Sequence, residues 1–417
     1  LERRKFLESA LKAGALLPLA FATGTLSSCG SKENKNYRKD YFDEGLLKQY
    51  MTLSKGDPVP RFVMCSPQDI ASNQYHFLSM RENKARLVEE WRVLKQVIEG
   101  LGADVIELDA DKDAGYGEVW TRDPALIFPK KNLFITSSNF RNNEDEEKRR
   151  KLSAEAENIS IILRKNGLKK IDIEEPMIDG GDVLIDEERG IVFLGYHHGN
   201  TELMESTKRA IEGNTGYEVF PIRRNIVKDQ ANYLASKQTR MQSSVFYHLD
   251  CGMAKLPRGK YLISESMVDE QTLDRLQNYL SDDLIISKDK LDTIYGKSSE
   301  RGSYVPPPDF KSRLERADDV FQMAFNLISI GDTLIMPFCS ESLDKDLQKA
   351  GFKVVTPQKL GLDMKWKFGD GSVHCATNRL SEVSGKQVDG PIYGVLSPLT
   401  QTWQSRLQTP SSGRALS

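Results

Sequence analysis

Five times along this chain an amphipathic helix ends in a short turn and feeds directly into a strand, and this recurrence constrains the fold more than composition does. Residues 84 to 101 set Leu87, Trp91, Leu94, Ile98 and Leu101 on one helical face; Gly102 ends the helix and "ADVIELD" follows as a strand. The same succession runs from Glu146 through Ile159, Ile162 and Leu163 to Asn166 and Gly167, ahead of "KKIDIEE". It recurs as "ELMESTKRAIEGNTG" before "YEVFPI", "EQTLDRLQNYLSD" before "DLIIS", and "SLDKDLQKAG" before "FKVVTP". Short alternating or apolar runs fill the intervals, among them "RFVMC", "ALIF", "NLFITS", "GDVLID", "GIVFLGY", "SSVFYHLDCGMAKL", "KYLISE", "LISIGDTLIMP" and "SVHCATNRL". Two or three strands per helix, repeated five times, predict a radial α/β array of ββαβ-like units in preference to one doubly wound parallel sheet. A plain α+β domain with mixed sheets is the competing reading.

The chain's 417 residues can bury one large core or two ordinary ones. Its 39% hydrophobic and 28% charged content is that of a soluble globular protein, and the net charge of -2 gives no electrostatic reason to expect nucleic acid. The first thirty residues differ from the rest. Arg3 and Arg4, followed by Phe6 and Leu7, resemble a twin-arginine signal; a short apolar run from Ala13 to Ala22, broken by Pro18, leads to Leu26-Ser27-Ser28-Cys29, which resembles a bacterial lipobox. On this reading residues 1–29 are an export signal, Cys29 is lipidated, and residues 30–58 are a polar tether and N-terminal extension. The folded domain is expected over 59–382 and an irregular tail over 383–417. The protein would then be an exported lipoprotein, periplasmic or associated with the outer membrane through its lipid. An ordinary amphipathic N-terminal helix is the alternative.

Cys65, Cys251, Cys339 and Cys375 remain for the folded part, with no CxxC spacing and no His/Cys cluster of the kind that holds zinc. A Gly/Ser/Pro-rich stretch from Lys288 to Phe310 reads as a surface loop.

Four polar clusters interrupt contexts where an ordinary core would use apolar residues. In "VWTRDPALIF", Arg122 and Asp123 sit between Trp120 and an apolar strand. In "MIDGGDVLI", two glycines turn the backbone between Asp179 and Asp182. In "FYHLDCGMAKL", strand alternation predicts His248 and Asp250 on one face, with Phe246. In "FGDGSVHCATNRL", Gly369 and Gly371 precede Cys375, which is predicted on a short strand with His374 turned away from it. Each cluster has a bland reading: an ion pair, a capped turn, a structural histidine, a small buried hydrophobe. As a set they suit a planar cation. A guanidinium offers fixed forks of N–H groups that match carboxylates such as Asp123 and Asp179; a thiolate can attack its central carbon, and a histidine can protonate the departing amine. No GxSxG elbow accompanies the histidine.

In their chain order "WTRDP", "DGGDVL", "FYHLD" and "GDGSVHCATNRL" resemble the guanidino-group-modifying superfamily: arginine deiminases, dimethylarginine dimethylaminohydrolases and amidinotransferases. The resemblance covers about residues 60 to 380 and implies a five-bladed α/β propeller (pentein) with pseudo-fivefold symmetry. It implies Cys375 as nucleophile and His248 as general acid and later base. Asp179 takes the place of a glutamate found in many members, Asp123 would hold the guanidinium, and Asp250 would assist beside His248. Arg122 is structural or reaches a substrate carboxylate, and Asn326 in "AFNLI" lines the site. The implied reaction passes through a thiouronium on Cys375 to citrulline or a related ureido product, without metal or organic cofactor. An amidinotransferase passing the group to an amine is the alternative within the superfamily, and a non-catalytic lipoprotein binding a cationic ligand is the alternative outside it.

Overall fold

In a computed structural model, the five expected helix-strand edges each become part of a small sheet. The structure describes residues 43–54, 56–68, 84–111, 114–138, 145–175, 177–196, 201–224, 248–265, 267–287, 297–298, 304–305, 324–364, 366, 368 and 372–383. The chain divides into a segment Leu1–Asp40, which holds the expected signal and Cys29 and lies outside the described residues, and a unit Tyr41–Ser417.

Within the second unit, α1 (Glu44–Lys48) precedes β1 (Val59–Cys65), α2 (Lys84–Gly100) and β2 (Asp104–Leu108). Then follow β3 (Ala125–Phe128), β4 (Leu133–Thr136), α3 (Glu146–Lys165) and β5 (Lys169–Ile171), and next β6 (Val183–Asp186), β7 (Ile191–Tyr196), α4 (Thr201–Thr215) and β8 (Glu218–Arg223). A fourth group comprises β9 (Met253–Lys255), β10 (Tyr261–Ser264), α5 (Glu270–Leu280) and β11 (Leu284–Ser287). Strands β12 (Lys297–Ser298) and β13 (Tyr304–Val305) pair in the stretch expected as a loop. The chain continues through β14 (Ile328–Ile330), β15 (Thr333–Ile335), α6 (Glu341–Lys349), β16 (Lys353–Val355) and β17 (Asn378–Val383).

Each group makes a three-stranded sheet: an antiparallel hairpin whose second strand is joined by a helix to a parallel third strand, as in β3-β4-β5 and β6-β7-β8. One sheet is built from both ends of the domain, with β17 antiparallel to β1 and β1 parallel to β2. The helices form where expected for local reasons: Asp145, Asp269 and Ser340 cap α3, α5 and α6 by accepting from backbone N–H groups in the first turn, and Gly102 leaves α2 at φ 97°. Along α2, Leu87, Trp91, Leu94, Val97 and Ile98 are buried, each such side chain contributing roughly 1.5–3 kcal/mol by leaving water.

The apolar cores lie between sheets. One joins β1 and α2 to β14, β15 and β16; another joins β1 and β2 to β3, β4 and α3; a third joins β3 and β4 to β6, β7 and α4. The remaining two join β6 and β7 to β9, β10 and α5, and β9 and β10 to β15 and α6. Among the described residues no strand of one of these five sheets pairs with a strand of another.

Part of the expected N-terminal extension, ahead of the expected domain start at residue 59, is packed on the fold. Leu47 of α1 is buried in the first core, Tyr50, Met51 and Leu53 pack against it, and the Thr52 hydroxyl donates to the Ile330 carbonyl at 3.2 Å. Residues 43–54 therefore belong to the folded unit, because their apolar side chains have a core to enter.

Candidate active site

The predicted site residues share one structural position, the segment just ahead of the first strand of a sheet. Asp123 lies in the turn before β3, Asp179 is the N-cap of a one-turn 3-10 helix (Gly180–Asp182) before β6, and His248 is the N-cap of another (Leu249–Cys251) before β9. Asn326 precedes β14, and Cys375 lies in the turn before β17. Two expectations are corrected here. His248 and Asp250 are not on a strand, which starts only at Met253, and Cys375 is not on a strand, which starts only at Asn378. Glycines and polar residues in these stretches favour tight turns that satisfy backbone groups locally.

Backbone hydrogen bonds tie the turns together. The Gly180 N–H donates to the Asp123 carbonyl at 2.9 Å, and the Arg122 N–H donates to the Cys375 carbonyl at 3.2 Å. Asp182, buried, accepts from the Leu249 N–H at 2.9 Å and so anchors the turn that holds His248. Gly181 has a steric reason: a Cβ there would lie 2.4 Å from His248 Nδ1 and 2.9 Å from Asp123 Oδ1.

His248 is placed between two carboxylates, with Nδ1 3.6 Å from Asp123 Oδ1 and Nε2 3.8 Å from Asp179 Oδ2. Burial works against its charge, but Asp123, the hydrogen bond to Asp179, and the charges of Asp182 and Asp250 outweigh burial and raise its pKa to about 10. The imidazole is therefore an imidazolium at neutral pH. Asp123 moves up to about 7, first through burial and then through Asp250 and Asp179, with His248 and Arg122 opposing. Asp179 also accepts from the Ser137 hydroxyl at 2.6 Å.

Cys375 and Asp250 form the other half. The Cys375 thiol faces Asp250 Oδ2 at 3.6 Å, and Asn326 Nδ2 donates to Cys375 Sγ at 3.0 Å. Burial, Asp250 and Asp123 push the thiol well above its ordinary pKa, so the site at rest holds it protonated. The Cys251 thiol meets Asp250 Oδ1 at 3.6 Å. His374 does not turn away as strand alternation predicts: its Nδ1 lies 2.8 Å from Asp250 Oδ2, because the segment is a turn. Burial opposes the Asp250 charge, yet His374, His248 and Arg122 hold its pKa below the usual value.

Arg122 is buried, and its guanidinium donates to the Val183 carbonyl and, at 3.4 Å, to Asn378 Oδ1. Of its two expected roles, the structural one has visible contacts. Phe246, Gly369 and Gly371 lie outside the described residues. Residues the sequence reading left out of the site are Ser137, Asp182, Cys251 and His374. Of these, Asp182 had a signal in its place in "DGGD" and His374 in its place beside Cys375.

A cavity of about 1060 Å³ touches the site from another side, with Arg122, His374 and Thr377 in its wall. Its lining includes the hairpin turns at the far ends of the first strands, with Lys130, Glu187, Arg258 and Asp332, and residues of the strands that lead to them. Neither Cys375 nor His248 lines it, so it is not where the polar cluster would meet a substrate.

The fold is shared with solved structures that include an arginine dihydrolase. The solved structures it is similar to include the substrate-bound N-terminal domain of ArgZ, an arginine dihydrolase from the ornithine-ammonia cycle in cyanobacteria. That likeness has a TM-score of 0.53 at 21% identity over 78% of this chain and 98% of the ArgZ domain. Unliganded AgrE matches with a TM-score of 0.52 at 18% identity, over 78% of this chain and 40% of AgrE. Against full-length ArgZ the chain spans 41% of the protein, at a TM-score of 0.53 and 20% identity. At these identities the fold is what is shared. No family model matches the sequence, and no curated protein matches it.

Proposed function

We propose that the chain is a cysteine-dependent hydrolase of an arginine-like guanidinium, working through a covalent thiouronium on Cys375. The observation that supports this most is the gathering of one thiol, one charged imidazole and three carboxylates by turns that precede the first strands of four separate sheets. The domain is further proposed to close as a five-bladed propeller, since the five apolar cores join each sheet to the next and the last to the first.

Asp123 and Asp250 supply acceptors for the N–H forks of a guanidinium. The incoming cation neutralises the carboxylates that hold Cys375 protonated, so its binding favours loss of the thiol proton to solvent. The thiolate then attacks the guanidinium carbon, forming a C–S bond. His248, already an imidazolium, gives its proton to the amine as the C–N bond breaks. Neutral His248 next takes a proton from a water that attacks the thiouronium, the C–S bond breaks, and a ureido product departs. Asp179 holds the imidazolium oriented throughout. An amine in place of water would make the same site an amidinotransferase; the acceptor decides between the two.

Arginine, methylated arginines, agmatine and an arginyl peptide are the substrates to try, with ureido product and released amine measured, then repeated with ornithine or glycine as acceptor. Failure of every guanidine, or full activity in Cys375→Ser, removes the catalytic reading. Turnover that needs an acceptor amine selects the transferase. The N-terminal pattern of Arg3, Arg4, the apolar run and Cys29 supports the further proposal that the enzyme is exported and lipid-anchored.

A further inference from the structure

We propose that Asn326 is a catalytic residue whose side-chain amide stabilises the Cys375 thiolate as it forms, a role that builds on Cys375 as nucleophile and goes beyond lining the substrate pocket. Asn326 is fully buried, a polar residue inside the apolar run "AFNLISI". A buried amide has four hydrogen-bonding positions to satisfy, and their partners fix which way it points. Its Oδ1 accepts from two successive backbone N–H groups, His374 at 2.9 Å and Cys375 at 3.1 Å. A flipped amide would set its own N–H groups against those two donors, so Nδ2 is the atom that faces sulfur. It does so at 3.0 Å.

A neutral thiol sulfur is a weak acceptor, whereas hydrogen bonds to an ionised partner are shorter and about twice as strong. A close N–H aimed at Sγ therefore matches the ionised form. The buried Arg122 charge attracts a thiolate, while the other charged groups around the sulfur work against that form or are engaged elsewhere. Asp250 and Asp123 repel a thiolate, and Cys251 adds to the same effect. His374 Nδ1 is directed at Asp250, His248 lies between Asp123 and Asp179, and the Arg122 guanidinium is bonded to Val183 and Asn378. The Asn326 amide is already in place at the sulfur and needs no rearrangement when the charge develops. Because Oδ1 also clamps the 374–375 backbone, one side chain sets both the position of the nucleophile and its ionisation.

Cys375 alkylation by iodoacetamide tests this without any substrate. The rate is measured against pH on the full chain, with the modified peptide identified by mass, for wild type, Asn326→Asp and Asn326→Ser. Asn326→Asp keeps the shape and the acceptor for the two backbone N–H groups but sets a carboxylate oxygen against sulfur. The expected result is a pH-rate curve displaced upward by about one unit or more and a rate at pH 8 lower by about ten-fold or more, with Asn326→Ser moving the same way by less. Thermal melts show which variants are folded, and if Asn326→Asp is not, Asn326→Ser decides alone. A folded variant whose curve overlays wild type overturns the proposal. If wild type turns over no guanidine but the curve moves, the functional reading falls and the role of Asn326 at the sulfur stands; turnover with an unmoved curve has the opposite meaning.

Discussion

Replacing Gly181 by alanine adds one methyl group at the most crowded point of the site. The new Cβ would lie 2.4 Å from His248 Nδ1, 2.7 Å from its Cγ and 2.9 Å from Asp123 Oδ1, where ordinary contact begins near 3.4 Å. The imidazole must retreat by about 1 Å, and a misplacement of that size in a catalytic group costs about 100-fold in rate. The methyl meets side chains that can yield, so the stability loss should stay within about 1–3 kcal/mol. Gly180→Ala is the contrast: its Cβ would lie 2.1 Å from the Arg122 carbonyl, a backbone atom, and folding rather than catalysis should suffer. Gly213→Ala meets nothing within 4 Å on α4 and should leave activity unchanged while stabilising slightly. The assay is kcat/KM on the best guanidine beside a thermal melt. A folded Gly181→Ala enzyme with wild-type kcat/KM would show that His248 does not act from its observed position.

Three further outcomes are expected. kcat/KM should rise with pH because Cys375 must lose a proton held well above its ordinary pKa, most steeply below about 7 where Asp123 also ionises, and the rise should stop above about 10 as His248 loses its proton; a flat profile from pH 6 to 11 contradicts the assigned roles. Asp186→Asn should destabilise the fold by about 2 kcal/mol at neutral pH. There burial raises the carboxyl pKa, but Lys255, at 2.8 Å, and the Tyr261 hydroxyl bring it to about 2, so this contribution is present above the unfolded value near 3.8 and is lost as pH falls through about 2. Urea melts at pH 7 and pH 2 check it, the wild-type and variant curves converging at the lower pH. Metabolic labelling with a fatty acid in a bacterial host should mark the wild-type chain and not Cys29→Ala; equal labelling of both removes the lipid anchor.

The helices and their order were legible because each has a strong apolar face and a clear stop, as at Leu94, Ile98 and Gly102. The polar clusters were legible as anomalies, since Asp123, Asp179 and His248 interrupt runs that would otherwise be core. What failed was direction. Alternation predicts strands at "FYHLD" and "SVHCATNRL", but the chain turns there, and so His374 meets Asp250 instead of pointing away. Contacts such as Asp182 with Leu249 and Ser137 with Asp179 join residues 67 and 42 positions apart, which no local pattern can reveal. Residues 43–54 read as an extension ahead of the fold for a similar reason: the surface they pack on comes from far along the chain, including Ile330.

The central claim is a covalent bond between Cys375 and a guanidinium carbon. Wild-type enzyme mixed with its best guanidine, quenched in acid within milliseconds to seconds and digested for mass spectrometry, should show the Cys375 peptide heavier by the substrate less its departed amine, and Cys375→Ser should show neither adduct nor product. Turnover at the wild-type rate in Cys375→Ser, or product formed while the Cys375 peptide stays unmodified at every quench time, would contradict it.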